Sequence, residues 1–190
     1  ETDWHGLTVG VNELNDETVR PALFDMIEDT PFVEIDGIRI PNPLSKMLIA
    51  DLRAARPELA VDGVFGANAF VPIHTPRASY RVISNREVWN AAKASIVGLD
   101  GAVIERVFTL ENLAKFGVSI RIGEREIGVK RFNGTVDKTK CQLNLITSHD
   151  GTMAAEAYDS TIRIVCMNTL RWSRDAAGDV GFKVYHTKNA

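Results

Sequence analysis

From residue 102 onward the apolar residues recur mostly with period two, and a run of that length commits the chain to a fold built around an antiparallel sheet. Residues 103–108 and 117–122 read as two strands joined by a short turn, and 127–129 as a third. The polar stretch around Asn133-Gly134 reads as a mobile connector. Residues 141–147 alternate cleanly and place Cys141, Leu143 and Leu145 on one face. His149-Asp150-Gly151 then turns the chain into a strand over 152–158, and 182–185 forms a last short one.

Helical signals bracket this region. Ser84 and Glu87 spell a capping box that opens a helix running to about residue 97. Val88, Trp89, Ala92 and Ile96 form its buried stripe and Gly98 ends it. Residues 80–83 ahead of it read as a strand. Ser160 and Thr161 are good N-caps for a helix from Ile162 to about Ala176, although 162–165 reads equally well as strand.

In the front part, Asp36-Gly37 between 32–35 and 38–40 is a strong hairpin signal, because it supplies the positive φ angles of a type I′ turn. Thr18 caps a short helix in which Leu23, Phe24 and Ile27 share a face. Pro43 opens a second helix, with Leu44, Met47, Leu48, Asp51 and Leu52 at helical spacing and Pro57 as its stop. Residues 60–79 read as a long loop.

Runs of strands followed by helices argue an α+β class: an antiparallel sheet meander packed against helices, in a single domain over 1–190. Residues 1–60 make an acidic front region with a hairpin and a helix, and 80–190 a helix plus a strand meander closed by a helix. With 45% apolar and 25% charged residues, the core needs neither metal nor disulfide staples. The two cysteines, Cys141 and Cys166, read as reduced, buried and cytosolic. No apolar run approaches the ~20 residues that cross a bilayer, so the expected setting is cytoplasmic. The start at Glu1 rather than a methionine reads as a fragment or a trimmed chain.

Four motifs stand in order along the chain: Trp4-His5-Gly6-Leu7, Ile83 to Val88, Ser148 to Thr152, and Ile162 to Leu170, with His186-Thr187-Lys188-Asn189 after them. Together they resemble the phage/plasmid-like protein family, classed as a domain of unknown function. The resemblance implies a mobile-element, intracellular setting and carries no established chemistry. The family pattern has a proline where Thr161 stands here.

Chemistry has to come from the residues. Residues 119–140 carry six bases, Arg121, Arg125, Lys130, Arg131, Lys138 and Lys140, against three acids, with Phe132 among them. Basic side chains interleaved with an aromatic ring suit single-stranded nucleic acid, since phosphates take the charges and bases stack on rings. The plain alternative is a solvated hairpin edge guarded by lysines. Arg171, Trp172 and Arg174 repeat the pattern near the end. The charge balance agrees in sign: −7 over residues 1–60 and +4 over 61–190.

The expectation is a non-catalytic, DNA-associated accessory protein that binds or anneals single strands and self-associates as a homo-oligomer. Phage annealing proteins offer an analogy of layout only. A second reading is a small hydrolase or transferase with its site at His149, Asp150, Cys166 and His186. That reading requires the four side chains to converge, because contiguous Ser148-His149-Asp150 cannot itself form a triad. A third is a host-protein-binding domain whose acidic front, with Glu28, Asp29 and Glu34, contacts a basic partner. No histidine spacing fits a metal and no glycine-rich loop fits a nucleotide phosphate, so neither a metal nor a cofactor is expected.

Overall fold

The computed structural model describes residues 2–3, 6–9, 14–55, 69–111, 113–130, 136–164, 166–178 and 181–187. In chain order the elements are β1 (Thr2–Asp3), β2 (Gly6–Val9), a 3-10 turn (Arg20–Leu23), β3 (Ile27–Asp29), β4 (Phe32–Ile35), β5 (Ile38–Pro41), β6 (Met47–Asp51) and α1 (Leu52–Ala55). Then come β7 (Phe70–His74), α2 (Asn85–Ile96), β8 (Val103–Leu110), β9 (Lys115–Lys130), β10 (Val136–Ser148), β11 (Ala155–Ser160), α3 (Met167–Ala177) and β12 (Phe182–Val184). Strands dominate, their pairings are antiparallel, and helices pack against them, which is an α+β architecture.

The main sheet has seven strands in the order β1-β2-β8-β9-β10-β11-β12. Its two faces are covered by different helices. On one face Val88, Trp89 and Ala92 of α2 pack on Val107, Phe116, Val118, Ile120 and Leu145. On the other, Leu170 of α3 and Ile164 ahead of it pack on Phe108, Leu110, Ile146 and Tyr158. Both faces being covered explains why Asn144 and Gln142, alternating with Leu143 and Leu145, are buried as well. Gly117 in β9 lies under the Phe108 ring, where any Cβ would collide with it.

The capping box is formed as the sequence reads: Ser84 Oγ accepts from Glu87 N–H, and Glu87 Oε2 accepts from Ser84 N–H at 2.7 Å. Gly98 follows with φ +83°. Asp36 and Gly37, at φ 52° and 77°, make the β4–β5 turn.

Several expectations are corrected. Residues 47–51 form strand β6, the centre of the small sheet β3-β6-β7, and only a single helical turn, α1, follows. Neighbours from 27–29 and 70–74 on either side override the helical spacing. The front helix shrinks to the 3-10 turn, and Ile27 joins β3. The expected loop contains strand β7, while 56–68 lie outside the described residues, as does Asn133-Gly134.

Residues 127–129 belong to the same long strand as 117–122, not to a third one. Residues 80–83 are not a strand. The last helix starts at Met167 rather than Ile162, because Ser160 Oγ accepts from Ile162 N–H in a local turn and Cys166 takes the N-cap. Neither cysteine is fully buried, and both are free thiols.

Candidate functional site

Two polar constellations stand out, at opposite ends of the β9–β10 pair. The first lies where that pair leaves the main sheet. β8 reaches only to Val103 opposite Arg121, and β11 only to Ser160 opposite Gln142. Beyond these points, between about residues 123 and 140, β9 and β10 pair only with each other among the described residues. They continue as a two-stranded ribbon. Bulges interrupt the register between Ile104 and Arg106 and between Cys141 and Gln142, at the root of the ribbon. Bulges of this kind raise local twist and re-aim side chains.

At this root lies a recess of about 400 Å³ lined by Glu105, Arg106, Thr139, Lys140, Gln142, Thr161 and Arg163. Glu105 accepts from Lys140 Nζ at 2.9 Å and Gln142 Nε2 at 3.0 Å, and Arg121 Nε stands 3.4 Å away. Burial would raise the Glu105 carboxyl, but these donors outweigh it and hold its pKa below the usual value. The Arg106 guanidinium donates to the Ile164 carbonyl and lies 5.4 Å from the Phe108 ring centroid. Arg106, Lys140 and Arg163 thus line the recess together with Glu105, whose carboxylate pairs with Lys140 and Arg121, beside two threonine hydroxyls.

Of the basic residues singled out in the sequence, Arg121 and Lys140 sit at this root. Arg125, Lys130 and Lys138 hold backbone positions on the ribbon, opposite Thr139, Val136 and Glu126. Arg131 and Phe132 lie outside the described residues. Arg171 and Trp172 are exposed on α3, the helix that follows Arg163 on the same side of the sheet. Arg174 is committed elsewhere. Its guanidinium forks onto Glu156 with two bonds of 2.8 Å, in a separate recess beside Phe182 and Lys183. Arg106 and Arg163 were missed in the sequence because neither lies in a run of basic residues, and Gln142 because it carries no charge.

The second constellation gathers at the other end of β10. His149 Nε2 stands 2.7 Å from Asn85 Oδ1, while Asn85 Nδ2 donates to the Ala22 carbonyl. The Asn85 oxygen is therefore the acceptor, and the proton sits on His149 Nε2. His186 stacks on Tyr80 with ring centroids 4.7 Å apart, and its Nδ1 bonds the Arg81 carbonyl. Tyr80 O–H donates to the Ser148 carbonyl at 3.2 Å. Gly151, at φ +73°, sits against the His74 ring, which leaves no room for a Cβ.

Asp150 accepts from Lys115, Ser148 and Thr152. Burial works to raise the Asp150 carboxyl, but those bonds prevail and hold its pKa well below the carboxylate range. Burial also pushes the His149 imidazole down to about 4, with His186 adding to the effect and Asp150 opposing it.

His149, Asp150 and His186 thus come together, but each is engaged in holding the fold. Cys166 does not join them. It caps α3, across the sheet from Asn85, with its sulfur 3.6 Å from Thr169 Oγ1. Hydrogen bonds from Thr169 lower its pKa, and among the described residues no imidazole bonds its sulfur. The four candidate catalytic residues therefore do not assemble into one site. Among the described residues no three His, Cys, Asp or Glu side chains could share a metal ion, and no helix is long and apolar enough to cross a membrane.

Residues 72–190 match a family model described as Domain of unknown function (DUF932). Neither the curated proteins nor the solved structures include a match to the chain.

Proposed function

The chain belongs to the DUF932 family of domains of unknown function, and from that premise we propose that it is a non-catalytic accessory protein that holds single-stranded DNA. The observation that carries this reading is the recess at the ribbon root, where three cationic side chains, Arg106, Lys140 and Arg163, line the wall with one acid, Glu105. A phosphate would take charge-assisted bonds from Lys140 and Arg163, and Thr139 and Thr161 supply neutral donors to its oxygens. The ribbon positions Arg125, Lys130 and Lys138 extend the track in one direction, and exposed Arg171 and Trp172 of α3 extend it on the same side. The phage/plasmid-like motifs favour a mobile-element, cytoplasmic role in handling such strands. The engagement of His149 and Asp150 in structural bonds favours a binding role over catalysis.

Fluorescence polarisation with a labelled single-stranded 20-mer at 50 and 200 mM salt tests this reading. With about four phosphates neutralised, affinity should fall roughly 50-fold between the two conditions. Replacing Lys140 and Arg163 together by alanine should reduce the log–log salt slope by about 1.4. Absence of binding at 50 mM, or binding with no salt dependence, would rule the proposal out.

A further inference from the structure

Among the described residues the β4–β5 hairpin contributes no side chain to a hydrophobic core cluster. Its register pairs Val33 with Ile40 and Ile35 with Ile38, so these four side chains share one face. All four are 46–65% exposed, and none belongs to a hydrophobic core cluster. The opposite face carries Phe32, Glu34 and Arg39, with the Arg39 guanidinium 5.0 Å from the Phe32 ring centroid.

Both faces of the hairpin are exposed, and one of them is wholly aliphatic. A two-stranded sheet is marginal in water by itself, and an antiparallel sheet ordinarily buries its apolar face. From this we infer that the hairpin is a self-association arm, whose aliphatic face packs on the same face of a second copy of this chain.

The area and the symmetry favour a second copy as the occupant. The four side chains present roughly 350 Å² of apolar surface, as large as the largest patch a monomer ordinarily exposes. Two hairpins packed face to face bury about 700 Å² of these side chains in total, the size of a weak, concentration-dependent interface. A flat face of four β-branched side chains is self-complementary about a twofold axis, as the two layers of a β-sandwich are. Glu34 and Arg39 lie opposite each other on the outer face, so the pairing buries neither charge. This arm is separate from the anion recess, and the inference does not depend on nucleic-acid binding.

Sedimentation velocity of the whole chain from about 1 to 200 μM tests it. The wild type should pass from monomer to dimer within that range, and Ile35→Lys with Ile38→Glu should weaken dimerisation at least tenfold. Those positions make no core contacts, so circular dichroism of the variant should match the wild type. A control, Val97→Glu at the exposed end of α2, should leave the dimer unchanged. A wild type that stays monomeric at 200 μM, or a dimer indifferent to the hairpin substitutions, would overturn the inference. So would assembly that Val97→Glu abolishes, since the contact would then lie elsewhere.

Discussion

Replacing Asp150 by asparagine should lower the unfolding free energy by about 3 kcal/mol, a fall of roughly 9 °C in thermal midpoint for a chain of this length. The cause is Lys115. Its side chain is only 2% exposed, yet it carries a full charge between Asp150 and Glu111. Glu111 is nearly half exposed, so water screens its attraction, and Asp150 is the partner that compensates the burial. Asparagine keeps the shape and an acceptor for Thr152 but leaves the ammonium short of charge. Replacing Lys115 by methionine as well removes the charge that needed compensation, and the double variant should recover more than half of the loss. Thermal unfolding of the wild type and the two variants measures both effects. A single-variant midpoint within roughly 2 °C of wild type would show that Asp150 does not hold Lys115 in place.

Stability should also fall steeply below neutral pH, and before the carboxylates titrate. The His149 pKa drops from an ordinary 6.5 to about 4 in the folded chain, because its buried ring resists charge. Between those values the unfolded chain binds a proton that the folded chain refuses. The stabilisation is complete above about pH 6.5 and is lost as pH falls toward 4. Going from pH 7.5 to 5.0 should cost about 2 kcal/mol from His149. His186, lowered by burial and partly restored by its bond to the Arg81 carbonyl, pulls in the same direction. Asp150, lowered instead, contributes only when pH falls below the ordinary carboxylate range. Glutamine at 149 retains a donor toward Asn85 without titrating. Chemical denaturation at the two pH values should therefore show a loss for His149→Gln no more than half that of the wild type. An equal loss would place the acid sensitivity elsewhere.

The fold was legible in the sequence wherever a local bond decides the backbone. Ser84 and Glu87 cap α2 through their own side chains, and Asp36-Gly37 turns a hairpin through its own φ angles. The turn after Ser148 belongs here too, because the Asp150 carboxylate accepts from the backbone of Thr152. Where a distant partner decides, local pattern misled. Leu44, Met47, Leu48 and Leu52 have helical spacing, but β3 and β7 pair with residues 47–51 on both sides. Gly123 and Gly128 broke the apparent pattern of a strand that runs unbroken from Lys115 to Lys130.

The site was legible only in part for the same reason. Arg121 and Lys140 stood out in a basic run, whereas Arg106 and Arg163 reach the recess from strand and crossover segments that show no local excess of charge. The histidines were visible as residues but not as a group, since His74, His149 and His186 meet only once the sheet is assembled. Their gathering also reversed the chemical reading, from candidate catalysts to the bonds that tie Tyr80, Asn85 and the last described segment to the end of β10.

The direct test of the anion recess is a ¹H–¹⁵N titration of the whole chain with an unlabelled single-stranded oligonucleotide. Amide shifts should move together and saturate at residues 104–106, 139–142 and 161–163, while those at 80–85 and 148–152 stay in place. Shifts that gather instead around His149 and Tyr80, or that never saturate at the ribbon root, would contradict the assignment.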